Sequence, residues 1–346
     1  MPSIQAQRLT AFVRSIYEAI GVAPEKAAIV ATEQVEANLA GHDSHGVLRT
    51  IDYVAWIKRG HIVPDAEMEI VRETAATAVI DGHWGFGFVC TRKATELVIA
   101  KARATGVAAA TVRRQSHVGR LSPYGRQMAE NGLIGMVTAD SGMAPKYVVP
   151  FGGRKGRLGT NPISISAPSQ RHGIVALDMA TSTVAMGKIH VAAARGESIP
   201  TGWLLDADGA PTTDPSSYKR GAVLLPLGAD QGHKGYGLSF MIEVLSGLLT
   251  GIGYGVDPNG QHNDGVFLAA FDVGHFIDLA KFESEMSSFI DEVKSTPLAQ
   301  GHQEIYFPGE MERRVAEQRS RDGISIDDDT WKRLNDLARE VGVPSI

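Results

Sequence analysis

A single cysteine, Cys90, stands among 346 residues, so no disulfide can close within the chain and no cysteine-based metal site can form. Cys90 itself reads as a small buried hydrophobe. No apolar run approaches the roughly 20 residues that span a bilayer. The opening MPSIQAQRLTAFVRS lacks the charged, then apolar, then small-residue order of a secretion signal, so a cytoplasmic location is expected. Basic residues are not concentrated: 34 Lys and Arg face 39 Asp and Glu, for a net charge of −5. Their scatter excludes the basic patch of a nucleic-acid or acidic-membrane surface. Gly-x-Ser-x-Gly, His-Glu-x-x-His and Walker strings are missing, which leaves hydrolase, zincin and P-loop chemistry unsupported. The Gly-x-Gly-x-x-Gly dinucleotide fingerprint is missing too. Gly85-Phe86-Gly87-Phe88-Val89-Cys90 lacks its third glycine, and Gly251-Ile252-Gly253-Tyr254-Gly255 follows an apolar helix instead of a strand.

What is present is an ordinary globular composition, 43% hydrophobic and 21% charged, in a chain long enough for two domains. The first 60 residues read as helices. Leu9, Phe12, Val13, Ile16 and Ile20 recur at helical spacing up to Gly21. Pro24 suits the first turn of a second helix carrying Ala27, Val30, Ala31 and Val35, and a third holds Val47, Leu48, Ile51, Val54 and Ala55. Strand-like runs at 77–81, 106–112, 133–139, 162–167 and 174–178 then alternate with helical segments near 88–105, 119–131, 183–195 and 233–250. This pattern predicts an α/β layer structure. The stretch 196–231 reads as loop, and Asp327–Asp329 can start a last helix over 328–341. The expected division is a small helical domain of 1–75 with 311–346, and an α/β cofactor domain of 76–310. The apolar helix from Leu238 to Leu249 is expected within the core, with a subunit seam as the other option.

The densest constellation is Gly41-His42-Asp43-Ser44-His45-Gly46-Val47-Leu48-Arg49. If a helix begins near Ser44, His45 and Arg49 lie four apart on one face. Histidine can hand over a proton near neutral pH and arginine can grip a carboxylate at two points, which is what reduction of a 2-oxo acid needs. The bland alternative is an Asp or Ser cap with a solvated His and Arg. A metal held by His42 and His45 would lack a completing shell. A second cluster, Ser116-His117-Val118-Gly119-Arg120, follows the run 106–112. A histidine at the carboxyl end of a strand sits where α/β proteins bind ligands, although it could equally be a satisfied loop histidine. Glycine-rich stretches that could cradle phosphate are 151–157, 159–162 and Gly232-His233-Lys234-Gly235-Tyr236-Gly237, the last joining a lysine to a helix start.

Taken in order, Ala40-Gly41-His42-Asp43-Ser44-His45-Gly46, Ser116-His117-Val118-Gly119, Leu158-Gly159-Thr160-Asn161-Pro162, Leu177-Asp178-Met179-Ala180-Thr181-Ser182, His233-Lys234-Gly235-Tyr236-Gly237-Leu238 and Pro308-Gly309-Glu310 resemble the type-2 malate/L-lactate dehydrogenase family. The resemblance covers nearly the whole chain and is nearest to its hydroxycarboxylate dehydrogenase branch. Members reduce malate-like, sulfolactate, ureidoglycolate, diketogulonate and cyclic-imine substrates. The resemblance implies a non-Rossmann, mixed-sheet cofactor domain, an NAD or NADP cofactor and a homodimer. It makes His45 the proton donor, Ser44 its relay partner and Arg49 the carboxylate clamp, with His117 the rival acid/base. Cofactor contacts would fall on His117, Val118, Gly119, Arg120 and Leu121, on Asp178, Met179, Ala180, Thr181 and Ser182, on Lys234, and on Pro308, Gly309 and Glu310. Two departures are visible: Ser116 stands where the family often has Asn, and the variable 140–146 segment does not fix the substrate. The leading reading is interconversion of a small 2-hydroxy acid and its 2-oxo acid. Reduction of a pyrroline- or piperideine-2-carboxylate would use the same acid and clamp. An inactive family member serving as a binding protein is the non-enzymatic reading.

Overall fold

A computed structural model describes residues 2–140, 146–254 and 264–346. The segment 141–145 and Gly255 of the Gly251–Gly255 string lie outside the described residues. Helix α1 (Ala6–Ala19) forms because Leu9, Phe12, Val13, Ile16 and Tyr17 share one buried face. Gly21, at φ +89°, then turns the chain into α2 (Pro24–Leu39), whose proline sits in the first turn. Helix α3 (Arg49–Lys58) starts later than the apolar spacing suggests, because Val47 and Leu48 belong to the turn before it.

The central sheet has seven strands: β1 (Glu69–Glu73), β2 (Thr77–Gly85), β3 (Val107–Gln115), β4 (Leu133–Ala139), β5 (Ile163–Ala167), β6 (Val175–Met179) and β7 (Val266–Asp272). Their order is β1-β2-β3-β7-β4-β5-β6. Only β2 and β3 run parallel, joined by α4 (Gly87–Thr105). The last strand in sequence, β7, enters the middle antiparallel to both neighbours, with Leu268 opposite Ala110 and Val137. This is the expected mixed, non-Rossmann sheet. All five predicted strands form, but β1 and β7 were not foreseen. Every residue of β1 is exposed, so it carries no alternation, and it takes 69–73 out of the segment read as helical. The continuous apolar run of β7 has no period that distinguishes strand from helix. Helix α5 (Ser122–Glu130) packs between β3 and β4 in sequence and carries a site turn at its start.

Helix α6 (Met186–Arg195) leads into the stretch read as loop, which holds a small sheet of Leu204–Leu205, Pro211–Thr212 and Val223–Leu224. These pieces enclose a separate core that includes Val148, Leu158, Ile189 and Leu224. Helix α7 (Gly232–Ile242) opens at Glu243–Leu248 into a wider π turn, so the predicted 233–250 helix is not uniform. Its expected burial is corrected: Leu238, Phe240, Met241, Leu248 and Leu249 are between 38% and 57% exposed. Helix α8 (Leu279–Lys294), not predicted, is capped by Asp278, whose side chain accepts from Lys281 N at 2.9 Å. Helices α9 (Glu310–Asp322) and α10 (Asp328–Glu340) follow, the latter started by Asp327 accepting from Thr330 N. Leu334 and Ala338 join Leu9, Ile16, Val30 and Val54 in one core. Ser3–Ile4 pairs with Ile324–Ser325, so the first residues described are held beside the link between α9 and α10.

Candidate active site

The 41–49 segment does not begin a helix at Ser44. Asp43–His45 is a single tight turn, Gly46 is extended at φ −83°, and α3 begins only at Arg49. His45 and Arg49 therefore do not share a helix face; Arg49 instead folds back, its Nε donating to the Ser44 carbonyl at 2.8 Å. Its Nη1 donates to Asp52 at 2.9 Å. Asn38 explains the turn. Its side chain accepts from Val47 N at 2.8 Å, and a Cβ on Gly46 would stand 2.1 Å from Asn38 Oδ1, so only glycine fits there. Ser44 Oγ lies 3.1 Å from His45 Nδ1. Gly187, in the first turn of α6, comes against the Ser44 side chain.

The second histidine arrives from the sheet. Beyond β3 the chain turns over α4, where a Cβ on Gly87 would be 2.2 Å from the Ser116 carbonyl and 2.5 Å from that of His117. Gly87 thus serves the His117 turn. Val118 N donates to the buried Asp264 carboxylate at 3.0 Å. Tyr53 of α3, fully buried, places its hydroxyl 2.7 Å from His117 Nδ1. The imidazoles of His45 and His117 stack with centroids 5.8 Å apart and planes 19° apart. Neither Tyr53 nor Asp264 was found from sequence. Tyr53 lies one helical turn beyond Arg49, a spacing that could have marked it.

His45 is pushed down to about 3, first by its removal from water and then by the positive charge of Arg49, with His42 and Arg120 adding. The residue as a whole is half-buried, at the edge of the turn. Asp178 is raised by burial, opposed by its bonds at the start of α5, where it accepts from Leu121 N at 3.2 Å and Ser122 N at 2.9 Å. That bond joins two predicted cofactor segments, the 117–121 turn and the end of β6. Thr181 extends the link: its Oγ1 donates to the Thr160 and Asn161 carbonyls, and its own carbonyl accepts from Leu227 N. Gly235 is pressed onto Leu227, which brings the Lys234 turn into the same group, with Lys234 exposed. Pro308 accepts from Ala176 N of β6, and Gly309, at φ +89°, lies against the same residue.

Some predicted contacts are turned inward. Val118 and Leu121 are buried, and Ser182 Oγ donates to the Val184 carbonyl, so backbone is what these positions can offer. Met179 and Ala180 are partly exposed at the end of β6, and Gly119, at φ +71°, packs against the Phe88 ring. The Glu310 carboxylate is buried and held by Lys294 at 2.7 Å and Arg314 at 2.7 Å, so backbone is the nearer offer at this position. Arg120, Ser122, Asp178, Gly309, His42 and Glu312 line part of a cleft of about 730 Å³ between α2, α5 and α9. Arg120 Nε is buried without a hydrogen-bond partner there. A buried guanidinium Nε without a partner, beside the Gly309 backbone in a cleft of ligand size, fits a phosphate-bearing cofactor. Among the described residues, no group of three or more His, Cys, Asp or Glu side chains is arranged to hold a metal ion.

Paired imidazoles with an arginine on the same turn, beside a non-Rossmann mixed sheet, are groups that proton and hydride exchange with a small acid can use. The malate/L-lactate dehydrogenase family matches residues 4–335, and the chain belongs to it. It is 40% identical over 337 residues to L-sulfolactate dehydrogenase of Methanothermobacter thermautotrophicus, covering 96% of this chain and 95% of that protein. Against hydroxycarboxylate dehydrogenase B of Escherichia coli O157:H7 the identity is lower, 32% over 346 residues, covering 98% and 94%. The solved Δ1-piperideine-2-carboxylate reductase of Pseudomonas syringae pvar. tomato superposes with a TM-score of 0.84 at 30% identity, covering 98% of this chain and 100% of that one. The protein is an oxidoreductase of the family, and the family uses a nicotinamide cofactor. Among the described residues no helix is long and apolar enough to cross a membrane.

Proposed function

We propose that this chain interconverts a small 2-hydroxy acid and its 2-oxo acid with NAD or NADP, His45 carrying the proton and Arg49 gripping the carboxylate. The observation that carries the reading is the His45–His117 stack beside an arginine tied to the same turn. A nicotinamide bound along the 117–121 turn, Asp178–Ser182, Lys234 and the Pro308–Gly309 backbone would give or take the hydride. His45, neutral in the resting protein, is ready to accept the hydroxyl proton of a 2-hydroxy acid, with Ser44 fixing its ring. A substrate carboxylate at Arg49 adds negative charge beside the imidazole and favours the protonated form that the reverse direction needs. His117 is the second reading of the proton carrier, favoured by the Tyr53 hydroxyl 2.7 Å from its Nδ1, which orients the ring.

The L-sulfolactate dehydrogenase relative supports an acid with a second anionic group as the substrate class. A cyclic imine carboxylate would use the same clamp and acid, and the piperideine-2-carboxylate reductase neighbour supports it as the alternative. The helical residues that precede β1, with 311–346, and the α/β residues from β1 to 310 would be the two walls of the site, in a cytoplasmic homodimer. A panel of sulfolactate, malate, lactate and a piperideine-2-carboxylate, each with both nicotinamide cofactors, tests the function by absorbance at the nicotinamide band. His45→Ala should lose about 10²–10⁴ in turnover on the best substrate while cofactor binding persists. The same loss confined to His117→Ala would transfer the role, and a cyclic imine as the sole substrate would replace the reaction class.

A further inference from the structure

Helix α9 lies along the turn that carries Ser44 and His45, and three of its side chains one turn apart do the holding. Glu312 Oε1 is 3.7 Å from His42 Nε2. Val315 Cγ1 fills the space above Gly41, 3.2 Å from where a Cβ would stand. Arg319 spans the Asp43 carboxylate, its Nη1 donating to Oδ1 at 2.7 Å and its Nη2 to Oδ2 at 3.1 Å. The same Nη1 donates to the Asn38 carbonyl at 2.5 Å, and Asn38 Nδ2 donates to Asp43 Oδ1 at 2.7 Å. Asp43 is thus fixed from two sides, two residues before His45. The spacing 312, 315, 319 puts these contacts on one helix face. The N-terminal end of α9 is equally fixed, by Pro308 and Gly309 on β6 and by the Lys294–Glu310–Arg314 cluster.

We infer that Arg319 is a positioning residue for His45, and that α9 is the splint tying the proton-carrying turn to the cofactor strand. The inference rests on the reading of His45 as the proton carrier. Side-chain exposures of 24% for Arg319 and 52% for Asp43 argue that the pair is too wet to matter much for stability. What a planar, two-point contact supplies is orientation, since it fixes the plane and the direction of the carboxylate together. A proton carrier displaced by about 1 Å loses rate far out of proportion to the energy of the contact that held it.

The test uses Arg319→Gln, Arg319→Lys, His45→Ala and the double variant His45→Ala with Arg319→Gln, each as full-length protein. Arg319→Gln should lower kcat about 10–100-fold, leave the nicotinamide KM within about threefold, and move the melting temperature by no more than about 3 °C. Arg319→Lys, which keeps the charge without the fork, should recover part of the rate. In the His45→Ala background, Arg319→Gln should cost less than about twofold, because its route to the chemistry is gone. A kcat within twofold of wild type for Arg319→Gln, or the same loss in both backgrounds, would overturn the inference while leaving His45 its role. A fully active His45→Ala would remove both. Should Arg319→Gln not fold, Asp43→Asn breaks the same pair from the other side and is read by the same criteria.

Discussion

At His45, exclusion from water and the charge of Arg49 act in one direction, and the imidazole stays neutral down to about pH 3. Oxidation of a hydroxy acid needs that neutral form, so His45 should impose no loss of kcat/KM between pH 8 and pH 5. An NMR titration of the His45 ring checks this directly; titration near the ordinary value of about 6.5 would contradict the environment described. The sign for stability follows. The folded value lies below the unfolded one, so the unfolded chain takes the proton first, and stability falls as pH drops from about 6.5 towards 3. Arg49 acts at the same scale but through shape. Arg49→Lys should raise the substrate KM about tenfold or more with kcat less affected, because an ammonium cannot match two carboxylate oxygens at once. Steady-state kinetics with an unchanged KM would place the carboxylate elsewhere.

Between elements, positions are set by close approaches that leave no room for a side chain. The first turn of α4 passes so near the 116–117 backbone that Gly87→Ala would drive a methyl group into two carbonyl oxygens. The helix cannot yield without moving the His117 turn, so this variant should lose about 1–3 kcal/mol of stability and about 10-fold or more in turnover. Thermal melts and kinetics on the same preparation check it, and a variant with wild-type turnover would show that the His117 turn does not need this support. The start of α5 follows the same logic with a polar group. Asp178 takes two backbone N–H groups there, which makes it a helix cap as well as a lining residue of the cleft.

For the whole molecule, the unresolved balance is the apolar surface of α7 and its π turn. Phe240, Met241, Leu248 and Leu249 are each more than half exposed, a grouping that costs hydration in an isolated chain. A C2 partner is the commonest way to cover such a face. The expected outcome is a dimer in sedimentation velocity at micromolar concentration, shifted towards monomer by Leu248→Glu with Leu249→Glu. Activity should fall with dissociation, because α7 also carries Lys234. A fully active wild-type monomer at every concentration would remove the partner from the site.

Period and composition were enough to determine the amphipathic helices α1, α2 and α10 and the five strands of the sheet that end at turns, because local spacing alone decides which face is buried. The same local reading picked out His45 and His117 as candidates, since unusual polar clusters between apolar runs are visible without a fold, whereas Asp178 was named only through the family resemblance. Three things were decided only by tertiary structure. The seventh strand, Val266–Asp272, reads as an undirected apolar run, and its place between β3 and β4 depends on partners distant in sequence. The turn at Asp43–His45 forms in place of a helix because Asn38 and Arg319 satisfy it from α2 and α9. The exposure of α7 is likewise set by what packs beside it, and an apolar helix has no local feature that says whether its neighbour is its own core or another chain.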